Sequence, residues 1–304
     1  MKIFIAGGTG VVGTRVLPLL ASAGHSISAI VRSPEKRAAL SRYGANPVDV
    51  SLFDADRLRK AVAGHDVVIN LATAIPPASR ALMPGAWRAT ARIRRIGAAN
   101  LANAARSSGA TRYIQESFAP IYEDAGDEWI DEGAPVRPVR YNRAVVDAER
   151  AAEAFTGRER AGVVLRFAFF YGPDSDFLHG MIANVRRGWA PAFGPDAYVS
   201  SISHDDAAAA VIAALALPAG IYNVTDDEPV TKREFFQTLA DVVGAPEPRF
   251  PPSWASHLLG SLGETLARSQ RMSNRKLRAA SPWSPRFPSV REGLVEAIAR
   301  RRRT

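Results

Sequence analysis

The sequence has no cysteine in its 304 residues. That excludes disulfides, cysteine-ligated zinc or iron–sulfur sites, and a thiol nucleophile. No apolar run reaches the ~18–20 residues of a membrane-spanning helix. Lysine is scarce, with 5 residues against 34 arginines. The five histidines, His25, His65, His179, His204 and His257, show no metal-ligand spacing, so no metal site is expected. A strand-like KIFIA segment starts at Lys2 and leaves no room for a signal or transit peptide, so the expected compartment is the cytoplasm.

What is present is a chain with 47% hydrophobic residues, long enough to bury a full core in one large domain or two intimate ones. Its net charge is +9. The arginines are spread along the chain, apart from Arg92, Arg94, Arg95 and the terminal run Arg300 to Arg303, which reads as a frayed end. A nucleic-acid surface would cluster such charge and interleave aromatics. The pattern here reads instead as a solvated surface, with a small molecule as the expected partner and neither membrane nor nucleic acid.

Short apolar runs at Lys2–Ala6, Ser26–Val31, Val67–Leu71, Tyr113–Gln115 and Val163–Phe167 alternate with helical patterns. The latter cover Val11–Ser22, Glu35–Tyr43, Asp54–Ala63, Trp87–Ser108 and Ala144–Phe155. This rhythm predicts an α/β fold, a Rossmann-type doubly wound parallel sheet covered on both faces. Beyond Phe169 the order loosens around Tyr171-Gly172-Pro173 and the turn-rich stretch from Gly188 to Pro195. A helix over Asp205–Leu217 and a strand over Gly220–Val224 then return to the sheet, and helices follow near Lys232–Val243 and Ser253–Arg268. The expected division is a nucleotide domain of residues 1–168 plus about 204–225. A smaller, discontinuous substrate lobe takes 169–203 plus 226–304.

Directly after the first strand stands Gly7-Gly8-Thr9-Gly10-Val11-Val12-Gly13. Glycine permits the tight turn and lets backbone approach a pyrophosphate at the positive end of the following helix. Placed between the first strand and first helix, the loop makes Gly7, Thr9, Gly10, Val11, Val12 and Gly13 candidate dinucleotide contacts. The second strand ends Ala29-Ile30-Val31-Arg32, where an NAD-specific site would carry an acid for the ribose hydroxyls. Arg32 and Lys36 suit a 2′-phosphate instead, so NADP(H) is favoured over NAD(H).

With that loop in place, the chain resembles the extended short-chain dehydrogenases/reductases, the NAD-dependent epimerase/dehydratase group, along nearly its whole length. Asp49-Val50 resembles that family's adenine-contacting pair, and His65 to Ala72 its fourth-strand signature. The resemblance implies that Leu71, Ala72 and Thr73 lie along the cofactor. Val164-Leu165-Arg166 with Tyr171-Gly172-Pro173, Ser203-His204-Asp205-Asp206, Ser273 to Leu277 and Trp283-Ser284-Pro285 match its later motifs. Phe167 and Phe170 are then expected beside the nicotinamide. Phe118, Tyr171, Phe177, His179 and Trp189 are expected at the substrate. Dimerisation through the long fourth helix and the Tyr141 helix is implied likewise.

The departures fall in the catalytic signature, Tyr-x-x-x-Lys with an upstream Ser or Thr. Tyr141 is present, but the lysine position holds Val145. Four residues on a helix put both side chains on one face, so an ammonium there can lower the tyrosine pKa. Valine gives no such help, and Arg143 projects roughly 200° away round the helix. Ser117 is the expected hydroxyl partner, although it stands five residues before Tyr122 where the family has four, and Phe118 fills that register. The family's asparagine in the long helix corresponds to Arg94. Glu123, Asp124, Asp127, Glu128, Asp131 and Glu132 read as a solvated loop around Trp129.

The expected function is an NADP(H)-dependent oxidoreductase or epimerase with a non-standard catalytic site, acting on a carbonyl or secondary alcohol of a small molecule. Tyr141 and Ser117 are its expected catalytic residues. Val145 leaves a second reading open: a non-redox isomerase, cyclase, lyase or nucleotide sensor on the same scaffold.

Overall fold

The structure, a computed structural model, describes residues 1–31 and 33–301. Its frame is a seven-stranded sheet of β1 (Lys2–Ala6), β2 (Ser26–Ile30), β3 (Ala45–Val48), β4 (Val67–Asn70), β5 (Arg112–Phe118), β6 (Ala161–Phe167) and β7 (Gly220–Val224). The strands are parallel in the order β3-β2-β1-β4-β5-β6-β7. The order reverses between β1 and β4, which opens a crevice beyond their carboxyl ends. β7 pairs with β6 over Gly220↔Val163 to Val224↔Phe167, so the late strand does return to the sheet. β3 was not legible from its sequence. Its four residues, Ala-Asn-Pro-Val, lack an apolar run, and Pro47 is tolerated because the strand lies at the edge.

The helices are α1 (Gly13–Ser22), α2 (Pro34–Arg42), α3 (Ala55–Val62), α4 (Arg88–Arg92), α5 (Ala98–Ser107) and α6 (Ala144–Phe155). Then follow α7 (Asp176–Val185), α8 (His204–Ala213), α9 (Lys232–Val243), α10 (Gly260–Ala267), α11 (Arg275–Ala280) and α12 (Val290–Arg301). Alternate strand residues serve opposite faces. Ile3, Ile5, Ile69, Ile114 and Leu165 pack with Val16 and Leu20 of α1 and Ala207 and Val211 of α8. Phe4, Val68, Tyr113 and Val164 pack with Leu58 of α3, Leu101 and Ala105 of α5, and Ala148 and Phe155 of α6. A separate core joins Leu178 and Met181 of α7, Phe235 and Leu239 of α9, and Leu294 and Ile298 of α12.

Three departures from the sequence pattern have physical causes. The single helix expected over Trp87–Ser108 is interrupted by a π turn, Ile93–Gly97, between α4 and α5. The helix expected over Ser253–Arg268 is a 3₁₀ segment, Ser253–Leu259, followed by α10, with Gly260 at the junction at φ +53°. Of the arginine run expected to fray, Arg300 and Arg301 instead close α12, whose Val290, Leu294, Ala297 and Ile298 are buried. Arg300 is ion-paired there to Glu296 at 2.6 Å and Asp205 at 3.0 Å. Arg302 and Arg303 lie outside the described residues, as does Arg32.

Lys232, at the start of α9, is buried and donates to the carbonyls of Phe193, Leu266 and Arg268 at 2.9, 2.7 and 3.0 Å. Two of these belong to the carboxyl end of α10, where helix carbonyls lack internal partners and favour a cation. One ammonium thus ties three parts of the smaller core together. Lys232→Met leaves three carbonyls without a donor and is expected to lower stability by about 3 kcal/mol, read as a fall in the urea midpoint at unchanged slope.

Candidate active site

The crevice is floored by the glycine loop. Gly7 has φ +88°, and a Cβ there would lie 2.4 Å from the Leu71 carbonyl carbon. A Cβ on Gly13 would lie 2.3 Å from the Gly7 oxygen. Both positions therefore accept only glycine at this backbone separation. Val12 caps α1 with no side-chain hydrogen bond, and no acid stands in the first turn. By contrast α2, α3, α7, α8 and α9 are capped by Ser33, Asp54, Ser175, Ser203 and Thr231. The open, positive end of α1 thus faces the loop, an arrangement suited to an anionic phosphate.

Around the loop, Thr9 is half-buried, Gly10 and Val11 are exposed, and Val12 is buried. Leu71 is buried, while Ala72 and Thr73 are half-buried, and the Ala72 amide donates to Asn70 Oδ1 at 3.2 Å. Val50 is buried beside exposed Asp49, whose carbonyl accepts from Arg57. Lys36 is exposed in the first turn of α2.

Tyr141 stands three residues before α6. It is half-buried, and its ring lies 4.6 Å from that of Trp87 at the start of α4. Asn142 fixes the approach to α6, accepting from the Val139 amide at 2.7 Å. Burial raises the Tyr141 phenol above its ordinary value, against the Thr265 hydroxyl and the charges of Arg268 and Arg94. Val145 is fully buried one turn on, and Glu149 follows after another turn. Val145 and Glu149 therefore lie along one face of α6.

Glu149 is a hub that the sequence motifs did not reveal. Arg166 of β6 donates to it twice, Nε to Oε1 at 2.8 Å and a terminal nitrogen to Oε2 at 2.7 Å. Ser117 Oγ donates to the same Oε1. Arg166 also stacks 4.8 Å over the Tyr122 ring, and the Tyr122 hydroxyl donates to Asn223 Oδ1 at 2.7 Å. Burial pushes the Tyr122 phenol up to about 12. The neighbouring Glu116 pairs at 2.7 Å with Arg94, which sits in the π turn and is 3% exposed.

Several expected site residues take other places. Ser117 is 1% exposed with its hydroxyl engaged by Glu149, so it is not available to polarise a substrate oxygen. Phe167 is 1% exposed and belongs to the sheet core, packing 5.2 Å from the half-buried Phe170 ring. Tyr171 is equally buried in the smaller core, its hydroxyl against Gly293. Phe118 is half-buried at the end of β5. Phe177 is exposed and packs on Phe169 at 4.7 Å, His179 bonds the Pro173 carbonyl at 2.9 Å, and Trp189 is exposed beside Arg249. Among the described residues no group of three or more His, Cys, Asp or Glu could hold a metal ion, and no helix is long and apolar enough to cross a membrane.

A family model described as NAD(P)H-binding matches residues 7–218. The chain belongs to that family. A Streptomyces protein named 3-diazoavenalumate denitrifying reductase is 34% identical over 97% of this chain and 99% of its own. A ketoreductase of Stigmatella aurantiaca, named for a farnesylated dihydroquinoline oxide, is 28% identical over 88% of this chain and 81% of its own. A human epimerase family protein solved with NADPH is similar at a TM-score of 0.82 and 21% identity, over 98% of this chain and 99% of that one. The fold is that of the extended short-chain dehydrogenases/reductases, and the chain is a member of an NAD(P)-dependent reductase/epimerase family.

The engaged hydroxyl gives a direct prediction. Ser117→Ala is expected to cost about 1–2 kcal/mol of stability while leaving turnover within about threefold. A loss of turnover by two orders of magnitude at unchanged stability would return Ser117 to the chemistry.

Proposed function

We propose that the protein is an NADP(H)-dependent reductase of an unsaturated polar group, a carbonyl or its nitrogen analogue, on an apolar small molecule. The observation that carries this reading is Tyr141, half-buried against Trp87, with a phenol that burial raises above its ordinary pKa. The glycine cradle at Gly7 and Gly13 and the uncapped start of α1 fit a dinucleotide's pyrophosphate. Gly10, Val11 and Val12 would hold it there, with Leu71, Ala72 and Thr73 alongside. When bound, the reduced nicotinamide supplies the hydride.

Tyr141 does the rest of the chemistry attributed to this chain. Its phenol donates a proton to the oxygen or nitrogen that gains electron density, leaving a phenolate that solvent reprotonates. A reductase starts from the neutral phenol, so the absence of lysine at Val145 costs it less than an oxidant, which starts from phenolate. Trp87 packs on the Tyr141 ring and fixes its orientation. Ile75, Leu82 and Met83, on the segment between β4 and α4, are exposed and offer an apolar substrate its surface. The relatives named as reductases favour the same direction. The smaller lobe, residues 169–203 with 226–304, would bind the substrate.

Two measurements test the reading. Tyr141→Phe is expected to lower turnover of NADPH with a panel of hydrophobic ketones by about 100-fold or more, with NADPH binding retained. Because burial raises the phenol above its ordinary pKa near 10, wild-type turnover should stay flat through neutral pH and fall only as the proton is lost above it. Substrate consumed without NADPH oxidation would favour the non-redox reading that Val145 suggests. Arg32→Ala should reduce the preference for NADPH over NADH by about tenfold, measured as the ratio of the two dissociation constants.

A further inference from the structure

The tip of the glycine loop is held by a side chain more than by packing. Gly10 and Val11 are both exposed there. The Thr14 amide bonds the Gly10 carbonyl at 2.9 Å, while the Arg15 and Val16 amides both turn to the Val12 carbonyl, at 3.1 and 3.0 Å. The backbone ladder at the start of α1 therefore passes over the Val11 carbonyl, and a backbone carbonyl needs a donor. Arg15 Nη1 supplies one at 2.7 Å, and the Thr14 hydroxyl lies 3.3 Å from the same oxygen.

The same guanidinium reaches two other elements. Its Nη1 and Nη2 grip the Asp174 carboxylate at 3.0 and 2.8 Å, and its Nε donates to Asp205 of α8 at 2.6 Å. Asp174 follows Tyr171-Gly172-Pro173 and stands two residues before α7 of the smaller core. It also accepts from His204 Nδ1 at 3.0 Å. That ring lies so close on the turn that a Cβ on Gly172 would stand 2.4 Å from the same nitrogen. His204 and Arg15 together hold the Asp174 carboxyl well below the usual carboxylate range. Four of the five guanidinium donors of Arg15 are thus engaged, in a fork that an ammonium cannot copy. Ion pairs open to solvent contribute little to stability, and the Asp174 and Asp205 side chains are 49% and 42% exposed. What the fork supplies is direction, from the smaller core and α8 to the loop.

We propose that Arg15 is a positioning residue that couples the dinucleotide loop to the smaller core. By drawing the Val11 carbonyl back onto α1, it keeps the turn in which the open end of that helix serves an anionic phosphate. Asp174 in turn fixes Arg15, so the segment leading into α7 governs the shape of the loop without touching it. The coupling is reciprocal, because whatever orders one of the two elements favours the other. α7 carries Phe177 and His179, the residues expected at the substrate. The proposal rests on the reading of the glycine loop as a dinucleotide cradle.

The test combines amide hydrogen exchange of residues 7–13 in the cofactor-free protein with a titration of NADPH. Arg15→Met should speed exchange across the loop and weaken NADPH by about tenfold. It strands no buried charge, because Asp174 keeps His204 and Asp205 keeps Arg300. Asp174 bonds Arg15 and His204 but no loop residue among those described. Asp174→Asn should nevertheless speed loop exchange and weaken NADPH by about fivefold, and should add nothing once Arg15 is replaced by methionine. Arg300→Gln removes the other ion pair of Asp205 without touching Val11, and should change neither reading. A merely structural network would instead give additive losses in the double variant, or an equal loss in Arg300→Gln. Either of those results, or unchanged loop exchange in Arg15→Met, would overturn the proposal. Wild-type protein that binds neither NADPH nor NADH would overturn the dinucleotide reading, while the exchange rates would still decide whether Asp174 acts on the loop through Arg15.

Discussion

The bidentate pair between Glu149 and Arg166 is the constraint on which the site depends. It joins α6 to β6, and through Ser117 it joins α6 to β5 as well. All of this is buried at the carboxyl ends of the central strands, where water cannot compete and where breaking one partner would strand a charge. Tyr141 stands just ahead of the helix that this attachment holds. Asn142 adds a second anchor through the Val139 amide and the Pro120 carbonyl. The turn that carries Tyr141 is thus tied down just ahead of α6.

The scarcity of lysine and the abundance of arginine acquire a structural meaning here. Three buried guanidiniums, Arg94, Arg166 and Arg268, each make directed bonds that a compact ammonium could not reproduce together. The buried lysine, Lys232, serves a point-like role, giving its three protons to three carbonyls. Val145 is fully buried in α6, and one turn further along the same helix stands Glu149, the acid that Arg166 and Ser117 hold.

Much of the fold was legible because its signals are local. β1 and β7 and helices α6 and α9 have the bounds their patterns indicate, and Ser203 caps α8 as the Ser-His-Asp-Asp run suggests. The glycine loop was legible for the same reason, since a tight turn must be written in consecutive residues. β3 and α7 were not. β3 is held by its neighbour β2 rather than by its own composition, and α7 has apolar residues that match a core supplied by α9 and α12. The burial of α12 was hidden in the same way, because a basic tail looks solvated until Asp205 is brought beside Arg300.

The site divides along the same line. The sequence by itself determined the α/β class, the glycine loop after β1 and the presence of Tyr141 with a valine four residues on, all of which depend on residue type at fixed short spacing. Only the tertiary structure decided that Ser117 serves Glu149, that Phe167 and Tyr171 belong to cores, that Arg94 pairs with Glu116 and that Arg268 bonds the Tyr122 carbonyl. Those partners are separated by tens to more than a hundred residues. Which polar groups share a buried space is set by how helices pack on strands, and no local pattern in the chain records it.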